Sequence, residues 1–195
     1  MAVNANALAT FAEAKAAFGY GDDETAKVED LINTASSSFE LHCKRPLAAR
    51  DFTWILDGTG RRELVLPEYP VNSITRLSID PTRAFAAASD VAAADYTLRG
   101  PSGIVVLFSD VFGDPEEVAV VRVQANAGYA SADPARAVLR RACLEYVDWM
   151  KTRSSQAGSI GKKGEYSADG VSVSYEIDIP AHVISRIADF IRTAA

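Results

Sequence analysis

The residues best suited to chemistry are few and scattered. The chain carries two histidines, His42 and His182, and two cysteines, Cys43 and Cys143. A zinc site needs three or four such groups converging, and neither cysteine has a second cysteine or histidine at a ligating interval. His42 and Cys43 are neighbours, but adjacent side chains on a helix diverge by about 100°. Both histidines therefore read as ordinary core or surface residues. Nucleophile chemistry is no better served. There is no Gly-x-Ser-x-Gly, no phosphate-cradling loop ending in Gly-Lys-Ser or Gly-Lys-Thr, and no dinucleotide fingerprint. Asp57-Gly58-Thr59-Gly60 lacks the alternating oxygens and closing glutamate of a calcium loop and reads as a turn. Gly158-Ser159-Ile160-Gly161-Lys162-Lys163 has the wrong spacing for a phosphate loop and reads as a solvated connection. Carboxylates abound, but none is paired in a setting that would raise one pKa. The sequence thus predicts no catalytic, cofactor-binding or metal-ligating residue.

The elements that would position a site are clearer. Thr10 with Glu13 forms a capping box, Phe11, Ala14 and Phe18 share one face, and Gly19 to Gly21 ends this short helix. From Glu24 to Cys43, Val28, Leu31, Ile32, Ala35, Phe39 and His42 recur at helical spacing, with Asp22 or Asp23 as the expected cap and Pro46 as the stop. Residues 50–128 read as β. Phe52, Trp54 and Leu56 alternate with polar neighbours, and Leu64 with Leu66 is expected to answer them across an Asp57–Gly60 hairpin. Ser73–Ile79, Tyr96–Leu98, Gly103–Phe108 and Val118–Ala127 are further strands, punctuated by prolines. Arg83–Ala94 reads equally as a helical turn or a mobile loop.

Helical signal returns at Asp133-Pro134 and runs to about Arg153, with Val138, Leu139, Ala142, Tyr146, Trp149 and Met150 as the buried stripe. Ser154–Gly164 has linker composition. Glu165–Ile179 alternates about an Asp169-Gly170 turn, and Pro180 opens a last helix whose stripe is Val183, Ile184, Ile187 and Ile191, with Phe190 beside it. The expected class is α+β: a small helical bundle formed by the N- and C-terminal helices, with a central antiparallel β insertion. One domain is expected over 1–195, with N-terminal helices in 1–47, the β insertion in 48–130, and the long helix, hairpin and last helix in 131–195.

Composition narrows the class. At 195 residues and 48% hydrophobic, the chain can build its core without disulfide or metal. Both cysteines are expected reduced and at least partly buried. No stretch resembles a signal peptide or reaches the roughly 20 apolar residues of a membrane span, so a cytoplasm-like compartment is expected. The net charge of −6, with basic residues dispersed, argues against a tightly held nucleic acid and suits a surface that DNA slides past.

The order of segments resembles the head–tail connector, or adaptor, family of tailed double-stranded DNA bacteriophages. The resemblance is carried by Leu8-Ala9-Thr10-x-x-Glu13-Ala14-Lys15, by the acidic Gly21-Asp22-Asp23-Glu24, and by Cys43-Lys44-Arg45-Pro46-Leu47. Asp57–Gly60, Leu64-Val65-Leu66-Pro67 and Tyr69-Pro70-Val71 follow, then Asp95-Tyr96-Thr97-Leu98 and Ser102-Gly103-Ile104-Val105. Ala127-Gly128-Tyr129-Ala130 leads into Ala142-Cys143-Leu144-Glu145, with Glu165-Tyr166-Ser167 and Ile179-Pro180 late in the chain.

The resemblance implies a structural part without enzymatic activity or cofactor, at the head–tail junction of a virion assembled in the host cytoplasm. It implies a ring, of twelve subunits in such particles, beneath a portal protein. A stopper or tail-completion protein would be received on the other side, and DNA would pass through the lumen without sequence-specific contact. Portal or subunit contact would fall on Ile177, Ile179, Ile184, Ile187, Phe190 and Ile191. From the residues alone, that terminal stripe could pack on its own bundle or on another chain. The alternatives left open are another tail-completion or stopper protein, a small enzyme with a concealed site, and a nucleic-acid-binding regulator.

Overall fold

The computed structural model describes residues 2–159, 167–168, 171–172 and 179–192. The chain divides into two compact units, one built from residues 1–45 and 134–195, the other from 46–133.

The first unit is helical. Helix α1 (Phe11–Phe18) starts at the expected capping box: the Glu13 N–H donates to the Thr10 hydroxyl, and the Thr10 N–H donates to the Glu13 carboxylate at 2.9 Å. Gly19 ends it at φ 71°, a left-handed conformation that costs glycine little. Helix α2 (Thr25–Cys43) does not start on an aspartate cap. Asp22–Glu24 winds instead into one 3-10 turn, and Glu24 occupies the cap position without a side-chain bond to the α2 backbone. Val28, Ile32, Ala35, Ser36, Phe39 and Cys43 are its buried residues, so the stripe runs through Ser36 and Cys43, while Leu31 and His42 lie at its margin.

Helix α3 (Pro134–Ser159) is longer than its apolar pattern predicts and takes in Ser154–Ser159. The first six residues of the expected linker are thus helical; the rest of it, and the Asp169-Gly170 turn, lie outside the described residues. Val138 is exposed, and Leu139, Ala142, Cys143, Tyr146, Val147 and Met150 form the buried face. Across the α2–α3 contact Phe39 stacks on Tyr146, ring centroids 5.8 Å apart. Strands β7 (Ser167–Ala168) and β8 (Val171–Ser172) make a minimal antiparallel pair. Helix α4 (Ala181–Ile187), continued by a 3-10 turn to Phe190, packs on α3.

The second unit contains two three-stranded antiparallel sheets. Strands β1 (Arg50–Leu56), β6 (Val121–Ala127) and β3 (Val71–Ile79) form one, with β6 central. Strands β2 (Glu63–Val65), β5 (Ile104–Leu107) and β4 (Tyr96–Arg99) form the other, with β5 central. The inner faces of both sheets feed one apolar cluster around Leu77, Val105, Phe112, Val121 and Val123. Each such side chain, once buried, contributes about 1.5–3 kcal/mol.

Register explains β3, whose inward residues Val71, Ile74, Leu77 and Ile79 are not evenly spaced by two. Irregularities between Val71 and Ser73 and between Ile74 and Arg76 insert Asn72 and Thr75, which returns the apolar residues to the inner face. The inserted side chains bond to β6 and its end: Asn72 donates to the Gly128 carbonyl (3.0 Å) and Thr75 to the Gln124 carbonyl (3.0 Å).

The expected β1–β2 hairpin is not formed. The two strands belong to different sheets, and Asp57–Gly60 is a corner between them, closed against the 112–117 loop rather than on itself. The N–H groups of Gly58, Thr59 and Gly60 donate to the carbonyls of Glu117, Phe112 and Gly113. A Cβ on Gly58 would lie 2.0 Å from the Asp114 carbonyl oxygen, so close approach is what requires glycine there.

The undecided Arg83–Ala94 stretch is ordered, with single 3-10 turns at Ala87–Ser89 and Ala93–Asp95. Asp80 holds its start, accepting from the Thr82 N–H, the Thr82 hydroxyl and the Phe85 N–H at 2.9, 2.6 and 2.7 Å. Arg76 and Arg122 both donate to the Phe85 carbonyl, and Arg76 also pairs with Asp90 at 2.8 Å. This flap covers the part of the β3–β6 face that carries Ser78 and Arg122.

Candidate functional site

Among the described residues, no three His, Cys, Asp or Glu side chains gather as a metal would need, and no helix is long and apolar enough to cross a membrane. His182 is exposed in the first turn of α4, and His42 is half-buried on α2 with its Nε2 unpartnered. Cys43 and Cys143 are buried and free of any disulfide. Burial pushes their thiols up to about 11 and about 12, so they stay protonated and unreactive near neutrality. A shallow depression of about 390 Å³ on the outer side of α2 is lined by Asn33, Thr34, Ser37, Ser38 and Leu41. Its hydroxyls have no histidine or carboxylate among them to act as a base.

Two regions of the surface carry accessible apolar area. The first is the terminal segment. Ile187 is fully buried and Phe190 nearly so, whereas Ile179, Ile184 and Ile191 are half-buried. Ile177 lies outside the described residues. The stripe named from the sequence is thus divided: Val183, Ile187 and Phe190 serve the subunit's own core, and the other three retain accessible apolar surface. Glu145 on α3 holds α4 in place, pairing with Arg186 at 2.9 Å while also receiving Arg141. The Arg192 N–H donates to the Cys43 carbonyl at 3.0 Å, fixing the chain beyond the helix.

The start of the helical unit is tied just as firmly. The Tyr20 hydroxyl donates to Asp148 at 2.9 Å, and Lys151 pairs with Glu24 at 2.8 Å while its ammonium sits 3.7 Å from the Tyr20 ring centre. Burial first, then Asp148, pushes the Tyr20 hydroxyl far above its ordinary value. The Lys151 ammonium holds the Glu24 carboxyl below its usual range.

The second region was not singled out from the sequence. In the β unit, Ile55, Val65, Phe108, Val111 and Val118 are exposed large apolar residues. Three of these stand on the 108–118 loop among Asp110, Asp114, Glu116 and Glu117. Alternation of apolar and acidic residues there was the available signal, but it reads equally as an ordinary strand edge. In the helical unit Leu41 and Val138 are exposed in the same way.

Comparison with known proteins follows the fold over its whole length. The family model described as head completion protein matches residues 8–192. No curated protein sequence matches the chain. Among solved structures, a chain of the neck of a native GTA particle, computed with C12 symmetry, aligns with a TM-score of 0.58 at 18% identity, covering 100% of this chain and 94% of that one. A chain from the neck of an empty GTA particle, computed with C6 symmetry, aligns at 0.57 and 18%, covering 94% and 89%. One from the virion of a native gene transfer agent particle aligns at 0.55 and 18%, covering 100% and 94%. At that identity the structural likeness carries the fold.

Proposed function

The chain belongs to the head completion protein family, and from that membership we propose that it is a structural connector at the head–tail junction of a phage-like particle. Copies of it form a ring beneath the portal, twelve by resemblance, through which DNA passes, and the far side of the ring receives a stopper or tail-completion protein. The family match over residues 8–192 carries this reading. The neck origin of the similar chains supports it.

The physics of the chain is compatible with the assignment. Both cores are closed by their own side chains, so the functional capacity lies on the outside. Head-to-tail contacts between identical subunits close into a ring when the rotation divides the circle. A net charge of −6 lets phosphate pass without capture. The accessible parts of Ile179, Ile184 and Ile191 are the proposed contact with the portal or the next subunit. Ile177, Ile187 and Phe190 join that contact where the terminal segment rearranges.

The test is a particle preparation lacking this chain. The expected product is DNA-filled heads separate from tails, restored to tailed particles by the chain supplied in trans. Tailed, DNA-delivering particles formed in normal numbers without it would refute the connector role. Ile184→Glu with Ile191→Glu is expected to abolish co-sedimentation with purified portal protein, while Val183, Ile187 and Phe190 keep α4 on the subunit's own core.

A further inference from the structure

The 108–118 loop is an unusual piece of surface for a region with a closed core beneath it. Phe108, Val111 and Val118 expose 55%, 38% and 58% of their surface. Large apolar residues grouped on one loop mark interaction sites far more often than scattered ones do. The loop is also stiff. Phe112 is fully buried at its base and its N–H donates to the Arg61 carbonyl at 2.9 Å. The three N–H groups of 58–60 grip it from below, Glu117 accepts from the Asp114 N–H at 2.9 Å, and Asp57 accepts from the Ala119 N–H at 2.8 Å. Ala119 is held at φ 61°, a conformation uncommon outside glycine. A surface fixed in advance loses little entropy when a partner arrives.

Charge identifies the kind of partner. Asp110, Asp114 and Glu116 are exposed beside the apolar residues and make no ion pair among the described residues. Within 57–62 and 108–118 there are five carboxylates against two guanidinium groups, Arg61 and Arg62. DNA is therefore repelled. The same loop on a second copy is disfavoured as well, since each carries the same excess of carboxylates and the two would repel. We propose that the 108–118 loop docks a different protein of the particle, through a patch on that partner that is apolar at its centre and rimmed by lysine and arginine. This rests on the connector reading, which supplies the particle, but names a surface separate from the terminal segment.

The experiment places a photo-crosslinking benzoylphenylalanine at Val111 and illuminates assembled particles. The expected result is one main adduct to a different protein, at a peptide with Lys or Arg beside apolar residues. Its yield should fall several-fold with Asp114→Lys/Glu116→Lys, and again with Phe108→Ser, while the amount of this chain per particle is unchanged. The charge variant alters only exposed side chains, so it keeps the test meaningful if Phe108→Ser disturbs folding. An adduct to another copy of this chain or to DNA, or no adduct in particles that contain the chain, overturns the inference alone. Absence of the chain from purified particles overturns the connector reading, and this inference with it.

Discussion

The two units of this chain are held together by different kinds of bond. The helical unit is fastened side chain to side chain, between segments more than a hundred residues apart in sequence. Phe39 stacks on Tyr146, Tyr20 reaches Asp148, Glu24 reaches Lys151, and Glu13 reaches Arg140. The β unit, besides its apolar cluster, is fastened through its backbone, with carboxylates as staples. Asp80 gathers the N–H groups of Thr82 and Phe85, Asp57 holds that of Ala119, and the 58–60 corner is closed by three carbonyls. The first kind of region tolerates changes of shape poorly where side chains meet. The second tolerates them poorly where backbones meet. Each unit carries one tryptophan, Trp149 and Trp54, so the contrast can be read by fluorescence in the Trp54→Phe and Trp149→Phe backgrounds.

The largest expected effect is on side-chain packing in the helical unit. Phe39 is fully buried, and Phe39→Ala removes both its area and its stacking partner. A loss of about 3–5 kcal/mol is expected in urea unfolding followed by Trp149. A loss under about 1 kcal/mol would break the comparison, because it would mean that the side-chain seam is not what fastens α2 to α3. The counterpart in the β unit is Gly58→Ala. One methyl group there meets a backbone oxygen that cannot rotate away, so a loss of about 1–3 kcal/mol is expected in the Trp54 signal. A neutral result would mean that the corner has room to open.

The same division decides what could be read from the sequence. The helices were legible because their stabilising contacts repeat at 3.6 residues: Val28, Ile32, Ala35 and Phe39 announce a buried face whatever lies opposite. The capping box at Thr10 and Glu13 is likewise local and came out as expected. The β1–β2 hairpin failed because Asp57-Gly58-Thr59-Gly60 has hairpin composition, yet its glycines serve a close approach to Asp114 and Pro115 from more than fifty residues away. The bulges of β3 and the Asp80 flap were hidden for the same reason, since a carboxylate that accepts from backbone looks like any surface aspartate. At the terminal segment the helix and its stripe were visible. How the stripe would be divided was not, because periodicity gives a face but not the share of it that the subunit's own core consumes. The 108–118 loop was missed because exposure is a property of the finished fold.

Titration separates the units next. Cys143, Cys43 and Tyr20, whose protons burial holds on most tightly, all lie in the helical unit. A thiol whose folded pKa is raised contributes fully below its unfolded value, near 9, and that contribution drains away as pH rises above it. Each pH unit beyond costs about 1.4 kcal/mol per thiol until the folded value is reached. In the β unit burial likewise raises the Tyr96 hydroxyl, but two carboxylates run the other way. The Thr82 hydroxyl bond first, then backbone N–H groups, hold the Asp80 carboxyl low, and Arg76, then Ser78, do the same for Asp90. Their contribution is present above the ordinary carboxylate range and is lost as pH falls through the depressed values. Urea midpoints should therefore drop above pH 9 for Trp149 and below about pH 4 for Trp54. Glu24 gives the helical unit an acid limb of its own, and Tyr96 gives the β unit an alkaline one above its ordinary value of 10.0. The sharper discriminator is therefore the window between about pH 9 and pH 10, where the thiols alone have begun to lose their contribution. Cys143→Ala should flatten the Trp149 limb and leave the Trp54 limb unchanged.

The smallest effect sharpens the contrast by testing a backbone bond inside the helical unit. Thr10 caps α1 through its hydroxyl, and Glu13 completes the box while also receiving Arg140 at 3.1 Å. Thr10→Ala leaves the Glu13 N–H to water, because the cap is exposed. The cost should be about 1 kcal/mol, and Thr10→Ser should recover most of it. The exposed Glu13–Arg140 pair is worth at most about 1 kcal/mol and cannot take over the cap, since it supplies no acceptor to that N–H. If Thr10→Ala instead costs as much as Gly58→Ala, local backbone bonds weigh as heavily in the helical unit as in the β unit. The distinction between side-chain and backbone fastening would then fail where it is easiest to measure.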